Sequence, residues 1–360
     1  MPERQARSLN DETRARAREL HRGATIIDSE GVCVLMPTVH IPPALVDGRS
    51  YLDRAIGSGL TAMNVTMGLG GIASGVDDFR ALLNSIYGHL VYFELHPDQL
   101  VHVQSIADLD RAKRERKLGI IFGVQGFGTK MEGDVTLIRI LHKLGLRVVQ
   151  LTNNERNPLG CGCIEKSDTG LTQLGRAAIA EMNRVGVVVD LAHAGEQTAL
   201  EAFECSSEPC MISHANARGL NDHYRNATDA MLKALAAKGG VIGITCYASF
   251  CRKEPGVRPS IDDVVNHVVY VADLVGIDHV GLGSDFFESE SEVRFSDFAN
   301  YYPSVHRAHR MDELYASGLE RVDDLHRLTE ALVCRGFTDE EIAAVLGGNH
   351  RRVFERVWRG

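Results

Sequence analysis

The stretch TGLTQLGRAAIAEMNRVG (169–186), followed by VVVDLAHA (187–194), contains one complete helix–strand unit. In the first part apolar residues recur at helical spacing, and Gly186 stands where a helix would end. The second part starts as a continuous apolar run and finishes on the polar residue His193, as a buried parallel strand does. The same unit recurs along the rest of the chain.

Eight strand candidates alternate with helical segments along the 360 residues. This alternation predicts an α/β protein, and eight repeats favour closure into a (β/α)₈ TIM barrel over an open, doubly wound sheet. We predict one barrel domain over 1–360, with an N-terminal solvated helix capped by Asn10 or Asp11 and one or two helices after about Val322. The strand candidates span 25–30, 60–67, 119–126, 148–154, 187–194, 209–216, 239–247 and 279–286.

Each candidate strand finishes on a polar residue. In a closed parallel barrel all carboxyl ends of the strands open onto one face, and that face holds the active site. We therefore expect polar residues that are far apart in the chain to meet at one mouth, namely Glu30, Thr66, Gln125, Asn153, His193, His214, Tyr247 and Asp285.

Composition excludes several classes of partner. A net charge of −9 and a pI near 5.9 argue against nucleic acid or an anionic membrane. No apolar run is long enough for a signal-peptide core or a membrane span, so we expect a cytoplasmic protein. The eight cysteines are then expected to be free thiols, and the one-residue gap between Cys161 and Cys163 differs from the usual zinc spacing.

The residue types at the strand ends suggest metal chemistry. His193 and His214 follow successive strands, where two imidazoles can reach one ion, although a lone histidine is more often a hydrogen-bonded core residue. Asp285 can bind metal or accept a proton, or it can simply cap a helix. Gln125 offers a neutral carbonyl oxygen. Arg225 suits the bidentate grip of a substrate carboxylate, and equally a surface ion pair.

Several motifs in this order resemble the renal (membrane) dipeptidase family of the amidohydrolase superfamily. The resemblance implies a metallo-dependent hydrolase barrel that binds two zinc ions at its mouth and cleaves dipeptides. It matches His193 and His214 to ligands of the second metal, Asp285 to an aspartate facing the first, and Arg225 to the group that binds the substrate's carboxylate. The motifs are 170–198, MISHANARGLNDHYRNATDAML (211–232), GGVIGIT (239–245), HVGLGSDF (279–286) and LGGNHRRVFERV (346–357).

The chain departs from the family pattern at the mouth. Glu30 and Val32 stand where the family has its first-strand His-x-Asp ligands, Gln125 replaces the glutamate that bridges the metals, and Asn153 replaces a histidine near the scissile carbonyl. We therefore expect one divalent metal ion, zinc by preference, rather than two.

The resulting hypothesis is a one-metal amide hydrolase acting on a small, carboxylate-bearing substrate. Its metal ligands would be His193, His214 and Gln125, its catalytic groups Asp285 and Asn153, and its substrate-binding groups Arg225, Glu30 and Tyr247. One alternative is a barrel that binds a carboxylated ligand without hydrolysis and with little or no metal. Another is an enzyme of a different reaction class, such as a lyase or isomerase.

A long segment after the eighth strand carries several aromatic residues. They either close over the ligand or pack in a subunit interface, and we expect a homo-oligomer. These residues are Phe295, Phe298, Tyr301 and Tyr302.

Overall fold

The computed structural model describes residues 8–31, 45–68, 79–251, 257–286 and 314–359. Within these ranges the strands are β1 (Ile27–Asp28), β2 (Ala62–Thr66), β3 (Leu100–Val103), β4 (Leu118–Val124), β5 (Leu146–Gln150), β6 (Val188–Asp190), β7 (Met211–Ala215), β8 (Val241–Ile244) and β9 (Val280–Leu282). The helices are α1 (Asp11–Gly23), α2 (Tyr51–Gly57), α3 (Phe79–Leu95), α4 (Ile106–Glu115), α5 (Phe127–Lys130), α6 (Leu137–Lys143), α7 (Gln173–Val185), α8 (Glu196–Cys205), α9 (Asp229–Ala237), α10 (Ala248–Cys251), α11 (Ile261–Val275), α12 (Leu325–Cys334), α13 (Asp339–Ala343) and α14 (Asn349–Val357).

Eight parallel strands form a closed ring. Strand β2 pairs with both β1 and β4, and β1 also pairs with β9, which closes the circle. Each ring strand overlaps one of the eight predicted ranges, so the predicted (β/α)₈ barrel is confirmed. Its mouth is at the carboxyl ends of the strands.

Strand β3 was not predicted. It lies outside the ring and pairs with residues 118–121 of β4. The next residues of β4, 122–124, pair with β5. Its four residues, LVHV, are too short to give a clear periodic signal.

Two aspartates strengthen the ring where backbone pairing is sparse. The pair β1–β9 and the pair β6–β7 each have one pair of Cα partners. Asp28 accepts hydrogen bonds from the backbone N–H of Ser284, at 2.8 Å, and from its hydroxyl. Asp190 accepts from the backbone N–H and the hydroxyl of Ser213, at 2.9 and 2.6 Å. We call these two pairs the Asp–Ser clamps.

Helix α7 shows how sequence positions one βα unit. The hydroxyl of Thr172 accepts a hydrogen bond from the N–H of Gly175 at 2.9 Å, which caps the first turn. The helix ends at Gly186, whose φ of +86° favours glycine. A Cβ at this position would lie 2.8 Å from the nitrogen of Arg359 and 2.9 Å from the carbonyl oxygen of Val357. The turn into β6 therefore packs directly against the backbone after α14.

The N-terminal helix is less solvated than the sequence suggests. Asn10 caps α1 as predicted, in a reciprocal pair with Thr13. One face is buried, however, since Ala17 is 1% exposed and the Nδ1 of His21 lies 2.8 Å from the Oγ1 of Thr329 on α12. The C-terminal region forms three helices, α12 to α14, where one or two were expected.

Two expectations about the whole chain concern membranes and thiols. None of the helices in the described ranges has the length and apolarity needed to cross a membrane. All seven cysteines in those ranges are free, as predicted, and Cys33 lies outside them.

We predict that Gly186→Ala destabilises the protein by about 1–3 kcal/mol, because the new methyl group meets backbone atoms and the left-handed conformation disfavours alanine. Urea unfolding followed by circular dichroism measures the change. The matched control is Gly57→Ala in α2, where an added Cβ meets nothing within 4 Å. The control should stay within about 1 kcal/mol of wild type. Equal effects of both substitutions would contradict the packing assigned to Gly186.

Candidate active site

Two residues at the barrel mouth hold unusual backbone conformations. His193 and Asp285 have φ values of +63° and +60°, a region that costs a non-glycine residue roughly 1–3 kcal/mol. The carbonyl oxygen of His193 accepts from the N–H of Cys163 at 2.7 Å. The N–H of Asp285 donates to the carbonyl oxygen of Glu30 at 2.9 Å, and its own carbonyl accepts from the Tyr315 hydroxyl at 3.0 Å. Both turns are thus fixed by neighbouring segments.

The segment that holds His193 also caps the following helix. Helix α8 begins after Gly195, which has no side chain to cap it. Asp168 supplies the cap from the preceding loop, accepting from the N–H of Gln197 at 2.7 Å and from the hydroxyl of Thr198 at 2.9 Å. That hydroxyl also accepts from the N–H of Cys161 at 3.0 Å. Residues 161–170 and the start of α8 therefore form one unit.

His193 and His214 meet at their outer ring nitrogens. The two Nε2 atoms are 2.9 Å apart. The Nδ1 of His193 lies 2.8 Å from the Oδ1 of Asn154, a carbonyl-type oxygen that can only accept. The Nδ1 of His214 lies 2.8 Å from the Oγ of Ser213, whose hydrogen is donated to Asp190. Each ring therefore carries its hydrogen on Nδ1.

This arrangement leaves two nitrogen lone pairs facing each other. Burial, together with the positive charge of Arg225, holds the pKa of both rings well below the usual value, so both are neutral. Two nitrogens bound to one zinc ion at about 2.0–2.1 Å lie roughly 3.3 Å apart at a tetrahedral angle. A cation between the rings would relieve the repulsion after a small outward movement. His193 and His214 therefore fit a divalent metal ion.

A third ligand is less well defined. The described part of the chain has no group of three or more His, Cys, Asp or Glu side chains suited to a metal. Gln125 and Asn153 lie side by side at the ends of their strands, with the Nδ2 of Asn153 3.5 Å from the Oε1 of Gln125. The backbone carbonyl of Gln125 accepts from the ammonium of Lys130 at 2.9 Å, which fixes this turn.

Two carboxyl groups at the mouth differ in how they are hydrogen-bonded. Glu30 accepts from the hydroxyl of Thr66 at 2.6 Å and from the amide of Asn64 at 3.2 Å. Burial, reinforced by nearby carboxylates, raises its pKa well above the usual value. The carboxylate of Asp285 accepts no hydrogen bond from the described residues. Burial raises the pKa of Asp285 to about 7, against the opposing charge of Arg225. Asp285 thus keeps its full hydrogen-bonding capacity for a ligand.

Arg225 is buried beside the histidine pair, with 4% of its surface exposed. Its guanidinium carbon lies 5.1 Å from the centre of the Phe250 ring, and its Nη2 donates to the carbonyl oxygen of His214 at 3.4 Å. Its Nη1 has no hydrogen-bond partner in the part of the chain that the structure describes. The ring of Tyr247 also stacks on Phe250, with the two ring centres 4.8 Å apart. An anion would satisfy the remaining donor of Arg225.

A cavity of about 190 Å³ lies next to the pair, and His193 and Arg225 form part of its wall. Its apolar lining includes Leu191, Ile212, Ala215 and Met231.

The structure brings together the predicted residues in three groups: His193 with His214, Gln125 with Asn153, and Glu30 with the turn of Asp285. Val32 and the four aromatic residues after the eighth strand lie outside the described residues. Three residues that contact the histidine pair or its partners, Asn154, Ser213 and Asp190, were not among the predicted site residues. Asp190 could have been noticed because it is a charged residue inside the apolar run VVVDLA, and buried charged residues are rare unless they are paired.

A sequence profile and curated proteins provide the first comparison. The profile of the membrane dipeptidase family (peptidase family M19) matches residues 16–305. Dipeptidase tcpJ of Claviceps purpurea is 30% identical over 266 residues, which are 73% of this chain and 57% of that protein. The chain therefore spans little more than half the length of this curated relative.

Solved structures provide the second comparison. An amidohydrolase from Pseudomonas aeruginosa has a TM-score of 0.81 at 31% identity, over 95% of this chain and 99% of that one. The probable dipeptidase PvdM from the same organism also has a TM-score of 0.81, at 18% identity, over 97% and 99% of the two chains. The second likeness shows the fold alone.

We predict that Asp285→Asn stabilises the metal-free protein increasingly as pH rises. A carboxyl whose pKa moves from 3.8 to about 7 on folding contributes most stability below pH 3.8 and loses it as pH rises through 7. Asparagine cannot ionise, so its advantage over wild type should grow between pH 5 and 8 by on the order of 2–3 kcal/mol. Urea unfolding in the presence of a chelator measures it. The exposed control Asp98→Asn should show no such trend, and a flat difference for Asp285→Asn would refute the assignment.

Proposed function

Because the chain belongs to the membrane dipeptidase family, peptidase family M19, we propose that it hydrolyses the amide bond of a small, dipeptide-like substrate with a free carboxylate. We further propose that it works with a single divalent metal ion, zinc by preference. The name of the Claviceps relative and of the amidohydrolase from Pseudomonas supports this class of reaction.

One observation carries the proposal. The Nε2 atoms of His193 and His214 face each other at 2.9 Å, while each Nδ1 is engaged elsewhere. With hydrogen on each Nδ1, the lone pairs of the two Nε2 atoms repel each other. A cation between them would bind both. The amide oxygen of Gln125 is the third ligand in this proposal. A bound divalent metal would supply Lewis acidity at the amide carbonyl of the substrate.

The chain's own groups supply the remaining chemistry. Asp285, whose carboxylate accepts no hydrogen bond from the described residues, accepts a proton from the attacking water and returns it to the leaving amine. The amide of Asn153 donates to the oxygen on which negative charge develops. Arg225 binds the substrate's carboxylate through its unpaired Nη1. Glu30 and Tyr247 complete the substrate-binding wall.

A second candidate function is binding of a carboxylated ligand without hydrolysis. It is favoured by one observation: the described residues lack a group of three His, Cys, Asp or Glu side chains suited to a metal. Arg225 would serve both functions equally. Metal content and turnover therefore distinguish the two.

We predict about one divalent metal ion per chain in protein purified without added metal or a chelating tag. Inductively coupled plasma mass spectrometry measures the content. His193→Ala and His214→Ala should each bring it close to zero, because a site with one imidazole and one neutral amide is too weak. His96→Ala, a histidine of the outer surface, is the control and should retain the ion. No metal in wild type, even after reconstitution, would favour the binding protein. Two ions would contradict the single-metal site.

We predict that Asp285→Asn lowers kcat for dipeptide hydrolysis by about 10²–10⁴-fold, the range typical of general acid–base catalysis. The metal content should remain near wild type, because Asp285 is not a ligand in this proposal. A coupled assay that detects the released amino acid measures the rate. Asp98→Asn serves as the control and should be fully active. Wild-type activity in Asp285→Asn would remove Asp285 from the mechanism.

A further inference from the structure

Both histidines of the pair are held from behind by buried polar groups that differ in charge. Asn154 accepts from the Nδ1 of His193 and is neutral. Ser213 accepts from the Nδ1 of His214 and passes its own hydrogen to the carboxylate of Asp190. All of these groups are buried, with 4% of Asn154, none of Ser213 and 1% of Asp190 exposed.

We propose that Asn154 and the Asp190–Ser213 clamp are positioning residues that fix both imidazoles as Nδ1–H tautomers and set the affinity of the pair for a divalent metal ion. This inference rests on the proposed function for its biological meaning. It makes a further claim, that the two histidines are unequal ligands. The ring of His214 is linked through the Ser213 hydroxyl to the carboxyl group of Asp190, whereas the ring of His193 is bonded to the neutral amide of Asn154.

The asymmetry follows from hydrogen-bond chemistry. A partner that accepts from Nδ1–H raises the electron density at Nε2, and a carboxylate does so more strongly than an amide. Burial raises the pKa of Asp190, and the N–H groups of Ala192 and Ser213, which donate to it at 3.0 and 2.9 Å, oppose that rise by stabilising the carboxylate. The Ser213 hydroxyl, which donates to Asp190 and accepts from the Nδ1 of His214, transmits part of the effect of this carboxyl group to the ring. We therefore expect His214 to be the stronger ligand.

Asp190 and Ser213 also stabilise the fold, so the experiment must separate this structural role from their effect on the histidine rings. Asp190 joins β6 to β7 through the backbone N–H of Ser213 as well as through its hydroxyl. Ser213→Ala removes the hydroxyl alone and leaves that backbone link in place. This substitution is therefore a cleaner probe than any change at Asp190.

The first experiment measures zinc affinity by competition with a chromophoric chelator. We expect Ser213→Ala to weaken binding about 10–100-fold, the range seen when a partner behind a metal ligand is lost. Ser213→Thr, which keeps the hydroxyl, should restore affinity to within about threefold. Asn154→Leu should weaken binding less than Ser213→Ala does, and Asn154→Asp should strengthen it relative to wild type, because it places a carboxylate behind His193.

The matched control is Ser206→Ala. Ser206 is equally buried, at 2% exposed, and bonds to Asn183 and Glu208 instead of a ring of the pair. It should change stability without changing zinc affinity. If Ser213→Ala and Ser206→Ala left zinc affinity equally unchanged, the positioning role would be overturned while the proposed function stood. Weaker binding by Asn154→Asp than by wild type would overturn the claim of unequal ligands.

A second measurement does not depend on metal. Nitrogen NMR of histidine-labelled, metal-free protein reports which ring nitrogen carries hydrogen. We expect Nδ1–H for both His193 and His214 in wild type, and a mixture of tautomers at His214 in Ser213→Ala. Nε2–H at His214 in wild type would overturn the inference. If wild type bound no zinc, the proposed function would fail, and the tautomers would still decide whether these residues position the rings.

Discussion

Two aspartates, Asp28 and Asp190, are buried where adjacent strands of the ring share one pair of Cα partners each, at β1–β9 and β6–β7. An unpaired carboxylate in a protein interior is costly, so each of these must be surrounded by donors. Asp190 obtains them from Ser213 on the adjacent strand β7, and Asp28 from Ser284, two residues after the adjacent strand β9. Each serine directly precedes a residue of the candidate site, His214 or Asp285. The interaction that completes the barrel therefore also orients the side chains at its mouth.

The electrostatics of the mouth follow from the same clustering. The buried carboxyl groups Asp28, Glu30, Asp190 and Asp285 all have raised pKa values, mainly through burial. Arg225 is the cation that opposes this shift at Asp190 and Asp285. A divalent cation bound to the lone pairs of His193 and His214 would favour the ionised form of nearby carboxyl groups, because opposite charges attract more strongly in a medium of low polarity.

Much of the fold was predictable because the same pattern, a helical segment followed by an apolar run with a polar end, recurs along the chain. Eight apolar runs with polar ends predicted the ring, although β4 and β5 begin one and two residues earlier than predicted and end two and four residues earlier. Strand β3 escaped notice because it lies outside the ring and is only four residues long. At the site, strand ends predicted His193 and His214, but not the partners behind them. Asn154 and Ser213 contact the histidine rings only in the folded chain. In the sequence they are ordinary polar residues beside Asn153 and His214, and their residue type alone does not identify them as partners of a ring.

Asp168 caps α8 from a different loop, so the start of this helix depends on residues outside it. In most βα units a loop can vary in length or sequence while its helix stays intact, since the helix carries its own cap. Here the loop 161–170 holds the helix and the turn of His193 at once. Loop exchange between homologues, in evolution or in a designed chimaera, must therefore transfer the loop together with the first turn of α8 as one module.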